Sequence, residues 1–417
     1  MTQIFNESAE LKNSSGVIGE LNPLYVHLPL TGFGDLRVAE LTPLIQFSFE
    51  YTVSNTELVA PILTGSGTLT QADAMAVVST GVTTASKARF ICKQHARYRA
   101  GLGGLMRLTA LFSSGVDGTS QWAGLIGAAG TSADLVDGLV IGYSGATFGV
   151  ARFQNDTLYF TELADCDDPL DGSGESGFTL DPTKLNVFAI QYQYLGAGAI
   201  NFFIENGSGS FTRFHQIPYS GLYTVPSVYN PNFHLGLYAN NKATTSNIVM
   251  KSGSMAYFVE GHTDISEVHQ YIQSTGRIQK TGVTSEIALF TIRNKSLYAS
   301  KGNLISVNVL RLSLGIEANA SNNLGQFRII KNATIGGTPS YADINTTNSL
   351  IDIDYAGTTI TNGVELFSGD LAGKNDKILE NLKDYKIMLH PGNTITVAVQ
   401  SANSATLNGS LMWKELF

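Results

Sequence analysis

Charged residues are scarce in this sequence. They make up 14% of the 417 residues, against roughly 25% in ordinary soluble domains. Acidic residues outnumber basic ones by 34 to 26, so the formal net charge is −8. A field of that sign repels the phosphate backbone, which predicts that nucleic acid is not a partner. The one local exception is the run Lys93–Arg99, which we interpret as the polar face of a strand.

Cysteine and long apolar runs are also missing. Only Cys92 and Cys166 occur, too few for a disulfide framework. No apolar segment reaches the length of about 18 residues that a membrane-spanning helix needs, and residues 1–15 lack an apolar signal core. We therefore expect a protein that is made in a reducing compartment and is not inserted into a membrane.

Alternating apolar residues are the main structural signal. In Leu105–Phe112 the apolar side chains fall on every second residue, the period of a strand with one buried face. Two short strands, 138–143 and 147–153, meet around Gly145, where a hairpin turn needs a positive φ. Further strands follow without helices between them. This pattern predicts an all-β fold of two antiparallel, jelly-roll-like sandwiches.

The domain organisation follows from breaks in these patterns. Proline interrupts residues 1–86, which are apolar but lack long periodic segments. We predict a docking arm there, packed on the chain's own jelly roll or on a neighbouring subunit; the alternative is a first short sheet of the main domain. We predict that residues 87–273 form a concanavalin-like sandwich that ends with a short helix. This helix begins at Asp264, and Asp264 and Glu267 form its capping box. A linker, 274–283, precedes a second sandwich, 284–417.

The second sandwich contains a change of phase. Apolar residues occupy odd positions from Ile305 to Val309 and even positions from Leu310 to Leu314. Such a change within one run indicates either a β-bulge or a strand that is buried on both faces.

Signatures of catalysis are absent. The chain has neither a G-x-S-x-G elbow nor an H-E-x-x-H pair. Gly369–Asn375 imitates a phosphate-binding loop, but it is one residue short between its glycines and lacks the hydroxyl residue after Lys374. The seven histidines are scattered, which favours structural roles. We therefore predict no catalytic residue, no cofactor-binding residue, no metal ligand, no cofactor and no enzymatic activity.

The acidic run Asp165–Glu175 is the best candidate site. Calcium prefers several hard oxygens on a flexible loop, and this run is rich in them without matching the spacing of an EF-hand. It is either a calcium site or a solvated acidic loop, and the second interpretation is favoured. Paired carboxylates for glycoside hydrolysis can assemble from distant strands, and no local signal supports them.

Aromatic residues on or near the predicted strands could form a platform for sugar rings. Core packing is the commoner role at such positions. We predict core packing for Trp122, Tyr143, Phe148, Tyr192, Tyr194 and Tyr238.

Several segments of the sequence resemble virion structural proteins of tailed bacteriophages and some other large DNA viruses. The resemblance is carried first by Ala96–Gly104 and covers nearly the whole chain from about residue 40. The further matching segments are 107–112, 137–143, 146–150, 179–184, 191–196, 291–295, 331–339 and 390–394.

This resemblance implies a non-enzymatic, jelly-roll-rich component of a fibre, tail tip or capsid appendage that contributes to attachment to the host. It implies other virion proteins as partners, a homo-oligomer with a trimer favoured, and host surface glycan as a ligand. The implied location is the virion, assembled in the host cytoplasm. The alternatives are an architectural protein that cements the capsid or tail, and a depolymerase of host glycans.

Overall fold

The computed structural model describes residues 12–13, 16–17, 41–53, 61–127, 135–261, 271–318, 324–372 and 376–416. The chain separates into two compact units, Met1–Leu41 and Thr42–Phe417. In the first unit, β1 (Lys12–Asn13) pairs with β2 (Gly16–Val17). The described ranges contain antiparallel sheets and no α-helix, which confirms the all-β prediction. Among the described residues, no helix is long and apolar enough to cross a membrane.

The first sandwich is built from strands in residues 41–260. Its strands are β3 (Leu41–Ser48), β4 (Ile62–Thr64), β5 (Thr68–Ala72), β6 (Met75–Ser79), β7 (Lys87–Ile91), β8 (Gly103–Phe112), β9 (Ser120–Gly127), β10 (Asp137–Ser144), β11 (Thr147–Gln154), β12 (Thr157–Glu162), β13 (Asn186–Tyr192), β14 (Ile200–Glu205), β15 (Phe211–Ile217), β16 (His234–Asn240), β17 (Val249–Ser252) and β18 (Ser254–Glu260). A 3₁₀ turn, Leu163–Asp165, follows β12.

These strands form two sheets that share one core. Sheet A has the order β12-β11-β10-β9-β16-β7-β4. Sheet B has the order β15-β14-β13-β8-β17-β6-β5, and β18 links β8 to β3. The alternate residues from Met106 to Phe112 are buried, as predicted, and Gly145 turns the β10–β11 hairpin with a φ of 67°. Because apolar side chains alternate in both sheets, the facing surfaces pack into one continuous cluster.

The second sandwich is built from strands in residues 271–415. Its strands are β19 (Tyr271–Ser274), β20 (Ile278–Val283), β21 (Ile287–Asn294), β22 (Leu297–Tyr298), β23 (Lys301–Gly302), β24 (Val307–Ala318), β25 (Leu324–Lys331), β26 (Thr334–Ile335), β27 (Tyr341–Asp343), β28 (Ile351–Asp354), β29 (Ile360–Thr361), β30 (Val364–Ala372), β31 (Lys377–Asn381), β32 (Met388–Leu389), β33 (Thr394–Ser401) and β34 (Ala405–Glu415). A 3₁₀ turn, Lys383–Tyr385, follows β31.

Sheets C and D enclose the core of this second sandwich. Sheet C has the order β19-β34-β24-β31, with β20 also on β34 and β32 on β24. Sheet D has the order β27-β28-β21-β33-β25-β30. The register of β24 against β34 shifts between Val309 and Arg311, so the phase change in the sequence is a β-bulge.

The domain limits in the structure differ from those that the sequence suggested. Strands β3 to β6 pair within sheets A and B, so the limit at residue 86 falls inside the first sandwich. The reason is apolar packing: the ring of Phe49 lies edge-on to that of Phe90, with their centroids 5.2 Å apart. Strands β19 and β20 pair with β34, which puts the expected linker in sheet C. The helix expected from Asp264 falls on residues 262–270, outside the described residues, and Ile272 lies in a strand.

Candidate functional site

The guanidinium of Arg152 lies between two tyrosine rings on the face of sheet A that Leu139 and Val150 share, which is the face towards the sandwich core. Arg152 on β11 pairs directly with Tyr159 on β12, so their side chains share that face. Its guanidinium carbon is 4.1 Å from the ring centre of Tyr159 and 5.2 Å from that of Tyr219. Tyr219 stacks in turn on Tyr223, with the ring centroids 4.4 Å apart. Cation–π attraction thus holds a row of aromatic rings in place.

Residues 218–232 form the long loop between β15 and β16, and hydrogen bonds fix it to this face. Nη1 of Arg152 donates to the carbonyl oxygen of Ser227 at 2.6 Å, and Gln154 donates to that of Pro226. The backbone N–H of Tyr229 donates to Oδ1 of Asp137 at 2.8 Å. A loop anchored at these points presents its side chains in a defined arrangement.

We call Tyr159, Tyr219, Tyr223 and Tyr229 the tyrosine surface. Tyr159 is 45% exposed, Tyr223 56% and Tyr229 51%, whereas Tyr219 is buried beneath them. Two exposed apolar residues of the same loop, Leu222 and Val225, accompany these tyrosines. Exposed apolar patches on a folded domain mark binding surfaces. Tyrosine offers both a flat apolar ring and a hydroxyl that can donate or accept a hydrogen bond.

The aromatic residues singled out from the sequence are not part of the tyrosine surface, although the hydroxyl of Tyr194 donates to the carbonyl oxygen of Val228 in the same loop at 2.8 Å. Five of them are buried and Tyr194 is half-buried, which confirms core packing for Trp122, Tyr143, Phe148, Tyr192 and Tyr238. Sequence reasoning missed the tyrosine surface. The signal in Leu158-Tyr159-Phe160 was weak, because three large apolar residues in a row occupy both faces of a strand and do not show which face is exposed.

The acidic run Asp165–Glu175 is folded around its own backbone. Asp168 is buried and accepts hydrogen bonds from the N–H groups of Leu170, at 3.0 Å, and Ser176, at 2.8 Å. Burial raises the pKa of Asp168, but these hydrogen bonds together outweigh it and leave the pKa below its ordinary value. Within the part of the chain that the structure describes, no group of three or more His, Cys, Asp or Glu residues is arranged to hold a metal.

Replacing Asp168 with alanine is expected to lower the free energy of unfolding by about 1–3 kcal/mol, because two backbone donors lose their acceptor. Glu175→Ala is the matched control, since the side chain of Glu175 is exposed and its loss costs within about 0.5 kcal/mol. Urea denaturation measures both. Calcium is expected to leave the unfolding temperature unchanged; a calcium-dependent rise that Asp168→Ala abolishes would contradict this assignment.

A polar groove of about 740 Å³ runs over sheet C. Glu317 accepts side-chain hydrogen bonds from Arg277 and, at 3.1 Å, from Asn408. Asp376 and Lys377 lie on its other side. The groove therefore combines two carboxylates with two cations over a floor of small residues, which are Ser313, Gly315, Gly409 and Ser410. In the phosphate-loop imitation, Gly369–Ala372 belong to strand β30 and residues 373–375 lie outside the described residues.

The basic run Lys93–Arg99 is not the polar face of a strand, so that expectation is wrong. Strand β7 ends at Ile91, and the run that follows is irregular apart from isolated bridges at Cys92 and Ala96. The irregular backbone turns Arg97 and Arg99 towards a cavity between the two sandwiches instead of towards solvent on a sheet.

Three histidines that are far apart in the sequence meet beside this cavity. The ring centroids of His95 and His234 are 4.2 Å apart. Nδ1 of His234 is 2.6 Å from the carbonyl oxygen of Cys92. Nδ1 of His390 is 3.0 Å from the hydroxyl of Ser306 in the second sandwich. Because these histidines are far apart in the sequence, the cluster could not be predicted from it.

Burial keeps the cluster neutral. It lowers the pKa of His234 to about 4, against the partial opposition of the carbonyl of Cys92. Burial, followed by the charges of His234 and His390, lowers the pKa of His95 well below its ordinary range. Both imidazoles are therefore uncharged at neutral pH.

Comparison with known proteins gives a structural similarity only. No family model matches this chain, and no curated protein does. An endo-β-1,4-glucuronan lyase from the fungus Trichoderma reesei is similar with a TM-score of 0.35 and 12% identity, over 52% of this chain and 95% of that one. A glycoside hydrolase family protein from Mycobacterium thermorestibile is similar with a TM-score of 0.36 and 10% identity, over 52% of this chain and 100% of that one. The carbohydrate recognition domain of Emp46p is similar with a TM-score of 0.32 and 11% identity, over 52% of this chain and 100% of that one.

These similarities correct one expectation. The absence of motifs led us to predict no enzymatic activity, and that prediction is withdrawn because hydrolases and a lyase are among the similar structures. Catalytic groups on sandwiches come from separate strands, so a search for local motifs does not detect them. At such identities and TM-scores, the similarity assigns neither an activity nor a ligand to this chain.

Proposed function

We propose that this protein binds glycans through the tyrosine surface of its first sandwich. The observation that carries the proposal is the row Tyr159, Arg152, Tyr219 and Tyr223, whose rings are held in place and partly exposed. The apolar face of a sugar ring stacks on an aromatic ring, and its hydroxyls bond to tyrosine hydroxyls and to the backbone. An aromatic ring that is already positioned loses little conformational freedom on binding.

The proposal is tested with the purified protein on an array of defined neutral and acidic oligosaccharides, followed by calorimetry with the best binder. Tyr223→Ala is expected to weaken binding about 2- to 10-fold, since one aromatic contact contributes about 0.5–1.5 kcal/mol. Tyr385→Ala removes an exposed tyrosine from the second sandwich and is expected to leave the affinity unchanged. Equal losses in both variants, or no binding on the array, would reject the proposal.

Cleavage of a glycan is the second candidate function, and the groove over sheet C favours it. Glu317 and Asp376 supply two carboxylates on one polar groove, the residue type that glycoside hydrolysis uses in pairs. Release of reducing ends from the same oligosaccharides measures this activity. Glu317→Gln is expected to abolish the release while Tyr385→Ala preserves it; unchanged release in Glu317→Gln would exclude the groove.

We further propose, from the sequence resemblance, that glycan binding serves attachment of a virus particle to its host. Low charge and large β-sheets suit a surface appendage with extensive subunit contacts. Labelled protein is expected to bind saturably to host cells, and soluble glycan is expected to compete with it. Binding that excess glycan leaves unchanged would favour an architectural role.

A further inference from the structure

A cavity of about 160 Å³ lies between the first and second sandwiches. One side is apolar, and the other is formed by the segment 94–99 together with Asn232, Ser306 and His390. The apolar wall comprises Leu44, Ile45, Leu304, Ile305, Met388 and Leu416. The tyrosine surface contributes none of these residues.

Two arginines of this cavity lack anionic partners. The guanidinium groups of Arg97 and Arg99 form no hydrogen bond or ion pair with any residue that the structure describes, and Nε of Arg99 is buried. Burial, followed by the charge of Arg99, lowers the pKa of Arg97 to about 10, and burial lowers that of Arg99 as well. Two like charges thus lie near each other at half-buried positions, which is costly in a folded protein.

His95 adds two further unsatisfied hydrogen-bonding groups. Both of its ring nitrogens are buried and have no hydrogen-bond partner among the described residues. No aspartate or glutamate lines the described wall of the cavity. Buried polar groups in folded proteins are normally satisfied, so each unsatisfied group asks for an explanation. Here the unsatisfied groups are mostly donors and cations, and they converge on one space.

We propose that this cavity binds a small organic carboxylate, with Arg97 and Arg99 as its principal contacts. Guanidinium forks hold a carboxylate through two parallel hydrogen bonds. His95 then donates one ring N–H to the ligand in the tautomer that binding selects. The ligand supplies the negative charge that the lining lacks.

The apolar wall distinguishes an organic acid from a free inorganic anion. Phosphate and sulfate carry oxygens on every side and would leave some of them against leucine, isoleucine and methionine side chains, at a desolvation cost. An acid with its carboxylate at one end and carbon at the other matches both walls. The cavity corresponds to roughly five water molecules at ~30 Å³ each, which limits the ligand to a short-chain aliphatic acid.

The test measures the unfolding temperature and the calorimetric binding of sodium propionate, with sodium butyrate, inorganic phosphate, glucose and sodium chloride at matched ionic strength beside it. We expect saturable binding of propionate or butyrate and none of glucose. Phosphate binding that equals that of the organic acids would overturn the assignment to an organic carboxylate. Absence of saturable binding by both organic acids would overturn the site.

Variants locate the site. Arg99→Met removes an unpaired charge while keeping bulk, so it is expected to raise the unfolding temperature of the ligand-free protein and to weaken carboxylate binding at least 10-fold. Arg213→Met, at an exposed position of strand β15, is the matched control and leaves carboxylate binding unchanged. Arg99→Lys preserves the charge and loses the fork, so it weakens binding even if Arg99→Met fails to fold. Equal binding by the wild type and Arg99→Lys would place the ligand elsewhere.

Discussion

The free energy of unfolding is expected to fall as the pH drops from 6.5 towards 4. His234 has a pKa of about 4 in the folded protein, while an ordinary histidine in the unfolded chain titrates near 6.5. Between these values the unfolded chain binds the extra proton, so stability rises with pH and is lost as the pH falls. A difference of about 2.5 pKa units corresponds to about 3 kcal/mol at and below pH 4. His95, whose pKa is also lowered, adds to the loss in the same direction.

Urea denaturation at half-unit pH steps measures this dependence. The groups that face the two imidazoles are cationic or neutral: Arg89 and His390 oppose their protonation, and the carbonyl of Cys92 supports it. His234→Gln is expected to flatten the slope between pH 6.5 and 4. His215→Gln serves as the control, because Asp167, 3.7 Å from the His215 ring, offsets part of the burial effect there. If His215→Gln flattens the slope of stability against pH more than His234→Gln does, the assignment to the cluster is contradicted.

Replacing Glu415 with alanine is expected to destabilise the protein by about 3–5 kcal/mol. Its side chain is buried at the end of β34 and accepts from the Ser349 hydroxyl at 2.6 Å, the Leu350 N–H at 3.0 Å and the Trp413 indole N–H at 3.1 Å. Alanine leaves these three buried donors without an acceptor, and each such donor costs about 1–3 kcal/mol. The unfolding midpoint in guanidinium chloride measures the loss.

Glu415→Gln provides the matched comparison, since the amide keeps one carbonyl acceptor and the volume of the side chain. It is expected to lose less stability than the alanine variant. Glu380→Ala, at an exposed position of β31 in the same sheet, is expected to stay within about 0.5 kcal/mol of the wild type. Equal stability of the Glu415→Ala and Glu380→Ala proteins would show that Glu415 does not anchor β34.

The sequence predicted those parts of the fold that depend on neighbouring residues. Alternation over Leu105–Phe112 and the glycine at residue 145 define strands and a hairpin locally, and both were correct. The phase change before Leu310 identified the bulge for the same reason. The limit at residue 86 was misplaced, because pairing of β4 with β7 depends on long-range hydrogen bonds that local patterns do not encode.

The candidate sites were largely beyond sequence reasoning. Tyr159 and Tyr223 come together only through the ring of Tyr219 and the guanidinium of Arg152, on separate strands and a loop. His95 and His390 meet only because the two sandwiches pack against each other. Convergence of this kind is a property of the tertiary fold, and a lone histidine or tyrosine in a sequence carries no sign of it.

Strand β34 has a consequence for biosynthesis. It lies between β24 and the pair β19 and β20 in sheet C, yet it follows every other strand of the second sandwich along the chain. A ribosome releases strands in chain order, so the first sandwich can complete its sheets while the second still lacks its central strand. At roughly 5–20 residues per second, that interval lasts about 10–30 s. During the part of it that follows the synthesis of β24, this strand presents an unpaired hydrogen-bonding edge to other nascent chains, which makes slow translation at high expression a cause of misassembly.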